Sequence, residues 1–97
     1  MTTEDLLETL AGIARDMPDP SPEMRWCLFG SALRNPVGAA DFDLAIVCRA
    51  DRARAVREHL APWCLVWPLH LTILTPEEDA ALGFTEGQAA RQFYPVG

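Results

Sequence analysis

Two short runs decide the fold: Leu28-Phe29-Gly30-Ser31 and, after nine intervening residues, Asp41-Phe42-Asp43-Leu44-Ala45-Ile46-Val47-Cys48. In the second run the side chains alternate between two faces, Phe42, Leu44 and Ile46 on one and Asp43, Ala45 and Val47 on the other. Both faces are largely apolar. A strand of this kind belongs in the middle of a sheet with helices over both sides, so phenylalanine to cysteine, 42–48, is expected to be central. Asp41 and Asp43 stand two apart at its start, where their carboxylates share a face. Such a pair is costly unless solvated or bridged by a cation, and an oxygen-only donor set suits Mg²⁺ with substrate phosphates. In the first run an apolar strand, Arg25 to Phe29, is closed by Gly30-Ser31. If a short helix begins there, glycine lets a phosphate approach the backbone, and free N–H groups with the serine hydroxyl hold its oxygens.

Outward from these runs the chain alternates helix and strand. Thr3 to Met17 carries Leu6, Leu10, Ile13 and Met17 at three- and four-residue spacing, one apolar stripe of a helix. Glu4, Asp5 and Glu8 sit at its start, where acids favour the dipole. Pro18-Asp19-Pro20-Ser21-Pro22 forbids helix and enforces an extended path. Ala32 to Ala40 holds Asn35-Pro36 and Gly38 and reads as a loop. A second helix is expected over Ala50 to Ala61, with Asp51 near its cap, Ala53, Val56 and Leu60 inward, and Pro62 as its stop. Leu69 to Leu74 is a third strand. Thr75-Pro76-Glu77-Glu78 is a helix start with a threonine cap, proline in first position and Glu78 closing a capping box. That helix ends near Gly83, and the tail from Thr85 to Gly97 is at best weakly helical, with Phe93 and Tyr94 docking on the domain or on a second subunit. The expectation is one α/β domain over residues 1–97: an N-terminal helix over 1–17, a core over 25–83 with a mixed sheet flanked by helices, and a tail over 84–97.

Composition supports a single soluble domain. The chain has 97 residues, 49% hydrophobic and 23% charged, and nothing near the roughly 20 apolar residues of a membrane span. Its N-terminus lacks the basic start of a signal peptide. Net charge is −6, and all eight basic residues are arginine. An acidic surface disfavours non-specific contact with nucleic acid and anionic membranes. Cys27, Cys48 and Cys64 have no metal-type spacing and lie among apolar neighbours, which reads as buried free thiols and a cytoplasmic protein. Arg49, Arg52, Arg54 and Arg57 read as a solvated helix face, with Arg54 and Glu58 able to pair across one turn. Trp26, Trp63 and Trp67 read as core or interface residues, and His59 as a surface helix residue.

Taken together, Leu28-Phe29-Gly30-Ser31-Ala32-Leu33-Arg34 and Asp41-Phe42-Asp43-Leu44-Ala45-Ile46-Val47 resemble the DNA polymerase β-type nucleotidyltransferase superfamily, in particular its minimal bacterial and archaeal members. The resemblance covers Trp26 to Val47, and the rest of the chain only by element order. It implies a nucleotidyltransferase fold and Mg²⁺-dependent transfer of a nucleoside monophosphate from an NTP, ATP first, to a hydroxyl of a protein, RNA or small molecule. By motif position Asp41 and Asp43 are then metal ligands, and Gly30 and Ser31 bind the β and γ phosphates. Arg34 is either a phosphate contact or a solvated side chain.

One part of the family pattern is missing. Active members carry a third carboxylate on a later strand, and Leu69-His70-Leu71-Thr72-Ile73-Leu74 contains no acid. His70 occupies the matching position, with Thr72 next on the same face. Either His70 serves as base or nitrogen ligand, or a partner chain supplies the acid, or the fold is kept as a catalytically degenerate module that binds or regulates by contact. The chain is too short for the helical domain of larger relatives, so a partner protein or self-association is expected to complete the pocket. The resemblance also implies a HEPN-type protein as partner in a toxin–antitoxin pair.

Overall fold

The computed structural model describes residues 1–18 and 23–95. The extended path expected of the proline-rich stretch falls on residues 19–22, outside them. The elements, in order, are α1 (Thr3–Arg15), β1 (Arg25–Phe29), α2 (Ser31–Arg34), β2 (Phe42–Val47), a 3₁₀ turn at Ala50–Arg52, α3 (Ala53–Cys64), β3 (Leu69–Leu74), α4 (Pro76–Leu82), α5 (Phe84–Gly87) and β4 (Arg91–Tyr94). The sheet order is β3-β2-β1-β4. β1 runs antiparallel to both neighbours, while β2 and β3 are parallel and joined through α3, as a parallel pair requires a crossover. This is a mixed sheet flanked by helices, the expected fold class.

The alternation in β2 sorts the two faces. Phe42, Leu44 and Ile46 join Trp26 and Leu28 of β1 beneath the α1 stripe of Leu6, Leu10 and Ile13 and beneath Val56 and Leu60 of α3. Each fully buried aliphatic side chain contributes roughly 1.5–3 kcal/mol, so this face carries most of the stability. The opposite face is covered by α4 and α5. There Phe84 meets Phe29 edge-on with ring centroids 5.3 Å apart.

A buried acid fixes that second layer. Asp79, 7% exposed, accepts bonds from the Thr85 backbone N–H and hydroxyl, each at 2.8 Å, and from Arg25 Nη2 at 2.9 Å. Burial pushes its carboxyl up, but the Thr85 donors and the Arg25 guanidinium outweigh this and hold it below the usual range. Gly83, in a left-handed conformation (φ 58°), turns the chain from α4 into α5 so that Thr85 reaches Asp79.

Helix starts follow local chemistry. Thr75 and Glu78 form the expected capping box on α4, and Thr2 with Asp5 forms another on α1. The Arg54–Glu58 pair forms at 3.0 Å.

Four expectations are corrected. α3 runs through Pro62 to Cys64, because Trp63 and Trp67 are drawn against the core, Trp67 edge-on to Phe42 at 5.8 Å. The tail forms β4 rather than weak helix, since burying Phe93 beside α1 and pairing with the edge of β1 outweigh poor local propensity. Cys64 is exposed at the end of α3, whereas Cys27 and Cys48 are buried, which pushes both their thiols up. His59 is half-buried and donates from Nε2 to the Ile13 carbonyl at 2.7 Å, tying α3 to α1.

Among the described residues no helix is long and apolar enough to cross a membrane.

Candidate functional site

Strand register assembles the site. Phe29 is paired with Asp43 across β1 and β2, and Asp43 with His70 across β2 and β3. Directly paired residues share a face, so these three stand in one row on the face that carries α4 and α5. Asp43 Oδ1 lies 3.0 Å from His70 Nδ1, with the aspartate side chain 24% exposed and the imidazole 71%. A carboxylate only accepts, so in this bond Nδ1 donates and Nε2 is the ring nitrogen left outside it.

The other carboxylate oxygen is held against the Gly30 backbone. Gly30 adopts φ 79°, ψ −159°, a region open to glycine almost alone. A Cβ at this position would lie 2.5 Å from Asp43 Oδ2. Glycine is therefore required twice, by the backbone angle and by the seat of the carboxylate. Directly after it the chain turns into α2, with Ser31 exposed as its first residue. The Leu33 N–H bonds to the Gly30 carbonyl at 3.2 Å, and the Thr3 hydroxyl of α1 caps the Leu33 carbonyl at 3.2 Å. α1 thus holds the glycine-serine turn in place.

The remaining expected residues are more dispersed. Arg34 is exposed and, with Gly30 and Leu33, lines an open groove of about 300 Å³. Its other wall is Gly87, Gln88 and Ala89, and Ala89 holds a left-handed φ of 50°. Asp41 lies one residue before β2, exposed. Thr72 lies two residues beyond His70, half-buried and paired with Ala45. Among the described residues no group of three or more His, Cys, Asp or Glu side chains is gathered closely enough to hold a metal ion.

Family models, curated proteins and solved structures were compared with the chain, and none matches.

The Gly30, Asp43 and His70 contact joins three of the residues singled out from the sequence. The Gly87–Ala89 wall and the Asp79 clasp had no sequence signal, because both depend on where α5 lands. A buried acid in α4 looks, in sequence, like the other acids of its first turn.

Proposed function

We propose that the chain is a nucleotidyltransferase-type domain that binds an NTP as its Mg²⁺ complex, ATP first, and transfers the nucleoside monophosphate to an acceptor hydroxyl. The observation that carries this reading is the Gly30–Asp43–His70 contact, with a carboxylate locked between a glycine turn and an imidazole. Asp41 and Asp43 offer too few donors for a metal held by protein alone, but they fit an ion that arrives with the triphosphate, since Mg²⁺ commonly takes one or two carboxylates plus phosphate oxygens. When bound, the ion supplies charge neutralisation on the phosphates. Gly30 and Ser31 line the place where phosphates reach the α2 backbone, and Arg34 borders the adjoining groove. His70, oriented by Asp43 through Nδ1, presents Nε2 to take the proton of the acceptor hydroxyl as its oxygen attacks the α-phosphorus and pyrophosphate leaves. The imidazole then does the work that a third carboxylate does in the family the sequence resembles.

A second reading is a module that binds the nucleotide without transferring it. The lack of a third metal-ligating side chain among the described residues favours it. Calorimetric titration with Mg²⁺-ATP and transfer of labelled AMP to candidate acceptors separate the two. Binding that is lost in Asp43→Ala and weakened in Asp41→Ala is expected. Equal binding by wild type and Asp43→Ala refutes the site. Transfer by wild type that disappears in His70→Gln, with binding retained, supports the base; binding without transfer by wild type leaves the binding module.

A further inference from the structure

On the side of the sheet away from Asp43, α1 and β4 border an open groove of about 380 Å³, within the range of small-ligand sites. Its floor is apolar: Leu7, Ala11 and Phe93 are buried there. At the N-terminal end of α1, Glu4 and Arg91 form a two-pronged pair at 2.6 and 3.1 Å, so their charges cancel. Farther along the same wall stand Glu8 and Arg15, two helical turns apart. Among the described residues neither has an ion-pair or hydrogen-bond partner. A Cβ on Gly12 would lie 3.7 Å from Arg15 Nη2, so the guanidinium doubles back along the helix toward Glu8 without pairing with it. The opposite wall is Arg91, Gln92 and Phe93. Successive strand residues point to opposite faces, so a groove lined by all three reaches round the outer side of β4, where the sheet ends. Backbone N–H and C=O groups on that side have no strand partner.

We propose that this groove binds an extended di- or tripeptide with free termini and an apolar side chain, its ammonium at Glu8 and its carboxylate at Arg15. Charge selects a zwitterion. An anion would meet Glu8 on a chain that already carries −6, and a cation would meet Arg15. Spacing sets the length. Glu8 and Arg15 stand about 10 Å apart along the helix axis, less the distance by which the guanidinium folds back. The charges of a single amino acid are only about 3 Å apart, whereas two or three extended residues cover about 7–10 Å. The open side of β4 selects an amide-bearing ligand, because its backbone groups pair with a peptide and not with a hydrocarbon chain. The floor of Leu7, Ala11 and Phe93 then takes the apolar side chain. The groove lies across the sheet from the Gly30–Asp43–His70 contact, and the proposal does not depend on the nucleotide reading.

Calorimetric titration with alanyl-leucyl-alanine, accompanied by amide shifts in NMR spectra, tests this. The wild-type chain is expected to bind the free tripeptide in the micromolar to millimolar range, with the largest shifts at Ala11, Gln92 and Phe93. Acetylating the peptide amine or amidating its carboxylate is expected to weaken binding about fivefold, since each removes one charge pair. Glu8→Gln is expected to weaken the free tripeptide by a similar factor and to make acetylation immaterial. Arg15→Gln is expected to do the same for amidation. Both residues are exposed, so both variants keep the fold. Free leucine, too short to bridge the two charges, is expected to bind about tenfold more weakly than the tripeptide. A wild-type chain that does not bind millimolar tripeptide overturns the proposal. Binding that ignores both caps overturns it too, as does binding left unchanged by Glu8→Gln and Arg15→Gln, or leucine that binds as tightly as the tripeptide.

Discussion

Replacing Gly30 by alanine tests the geometry on which the site depends. Two costs are separable. Alanine at φ 79°, ψ −159° carries a backbone cost of about 1–3 kcal/mol. Its Cβ, placed 2.5 Å from Asp43 Oδ2, forces the carboxylate aside, and the bond to His70 Nδ1, worth about 0.5–1.5 kcal/mol, is lost with it. The sum is a destabilisation of about 1.5–4.5 kcal/mol, which in a domain of this size lowers Tm by roughly 5–35 °C. Urea denaturation followed by tryptophan fluorescence reads it directly. The decisive comparison is made in an Asp43→Ala background. With no carboxylate to displace, Gly30→Ala is expected to cost only its backbone part, so the double-mutant cycle should show a coupling of about 1 kcal/mol. A Gly30→Ala chain within about 0.5 kcal/mol of wild type refutes the strained conformation. Costs that add in the cycle to within about 0.3–0.5 kcal/mol refute the seat of Asp43 against the glycine.

Acid titration of stability tests the Asp79 clasp. A carboxyl held below its unfolded value contributes stability that is present above about pH 4 and lost as pH falls through the folded value, so Asp79→Asn is expected to flatten that part of the wild-type profile and to lower stability at neutral pH by about 1–3 kcal/mol. An unchanged profile would remove Asp79 from the account. Thr75→Ala deletes the cap of α4 and is expected to cost about 0.5–2 kcal/mol in thermal unfolding, with Thr75→Ser close to wild type. Native chain treated with a thiol reagent is expected to be modified at Cys64, while Cys27 and Cys48 react only on unfolding, as mass spectrometry of the labelled peptides would show.

Much of the framework was legible because it rests on short-range physics. The α1 stripe, the central strand at 42–47, the strand at 69–74 and the Thr75–Glu78 box are each written within a few residues, through periodicity or a side chain reaching its own backbone. The Gly-Ser turn was legible for the same reason. Where local signals failed, a distant partner had intervened. Pro62 normally stops a helix, yet Trp63 and Trp67 pack on the sheet and the helix continues past it. Residues 91–94 have weak strand character alone and become a strand because Phe93 finds α1 and the edge of β1 is open. His59 read as a surface residue until the Ile13 carbonyl of another helix was placed against it.

By itself, then, the sequence determined α1, the strands at 25–29, 42–47 and 69–74 and the start of α4, that β2 would be buried on both faces, and that Gly30, Asp43 and His70 were residues to watch. Only the tertiary structure decided that they meet. Their contact depends on the register of three strands, one pairing antiparallel and the other parallel, and register is set by how whole faces pack rather than by any residue near the site. The same long-range packing put β3 at one edge of the sheet and β4 at the other, an order that no local pattern in the chain encodes.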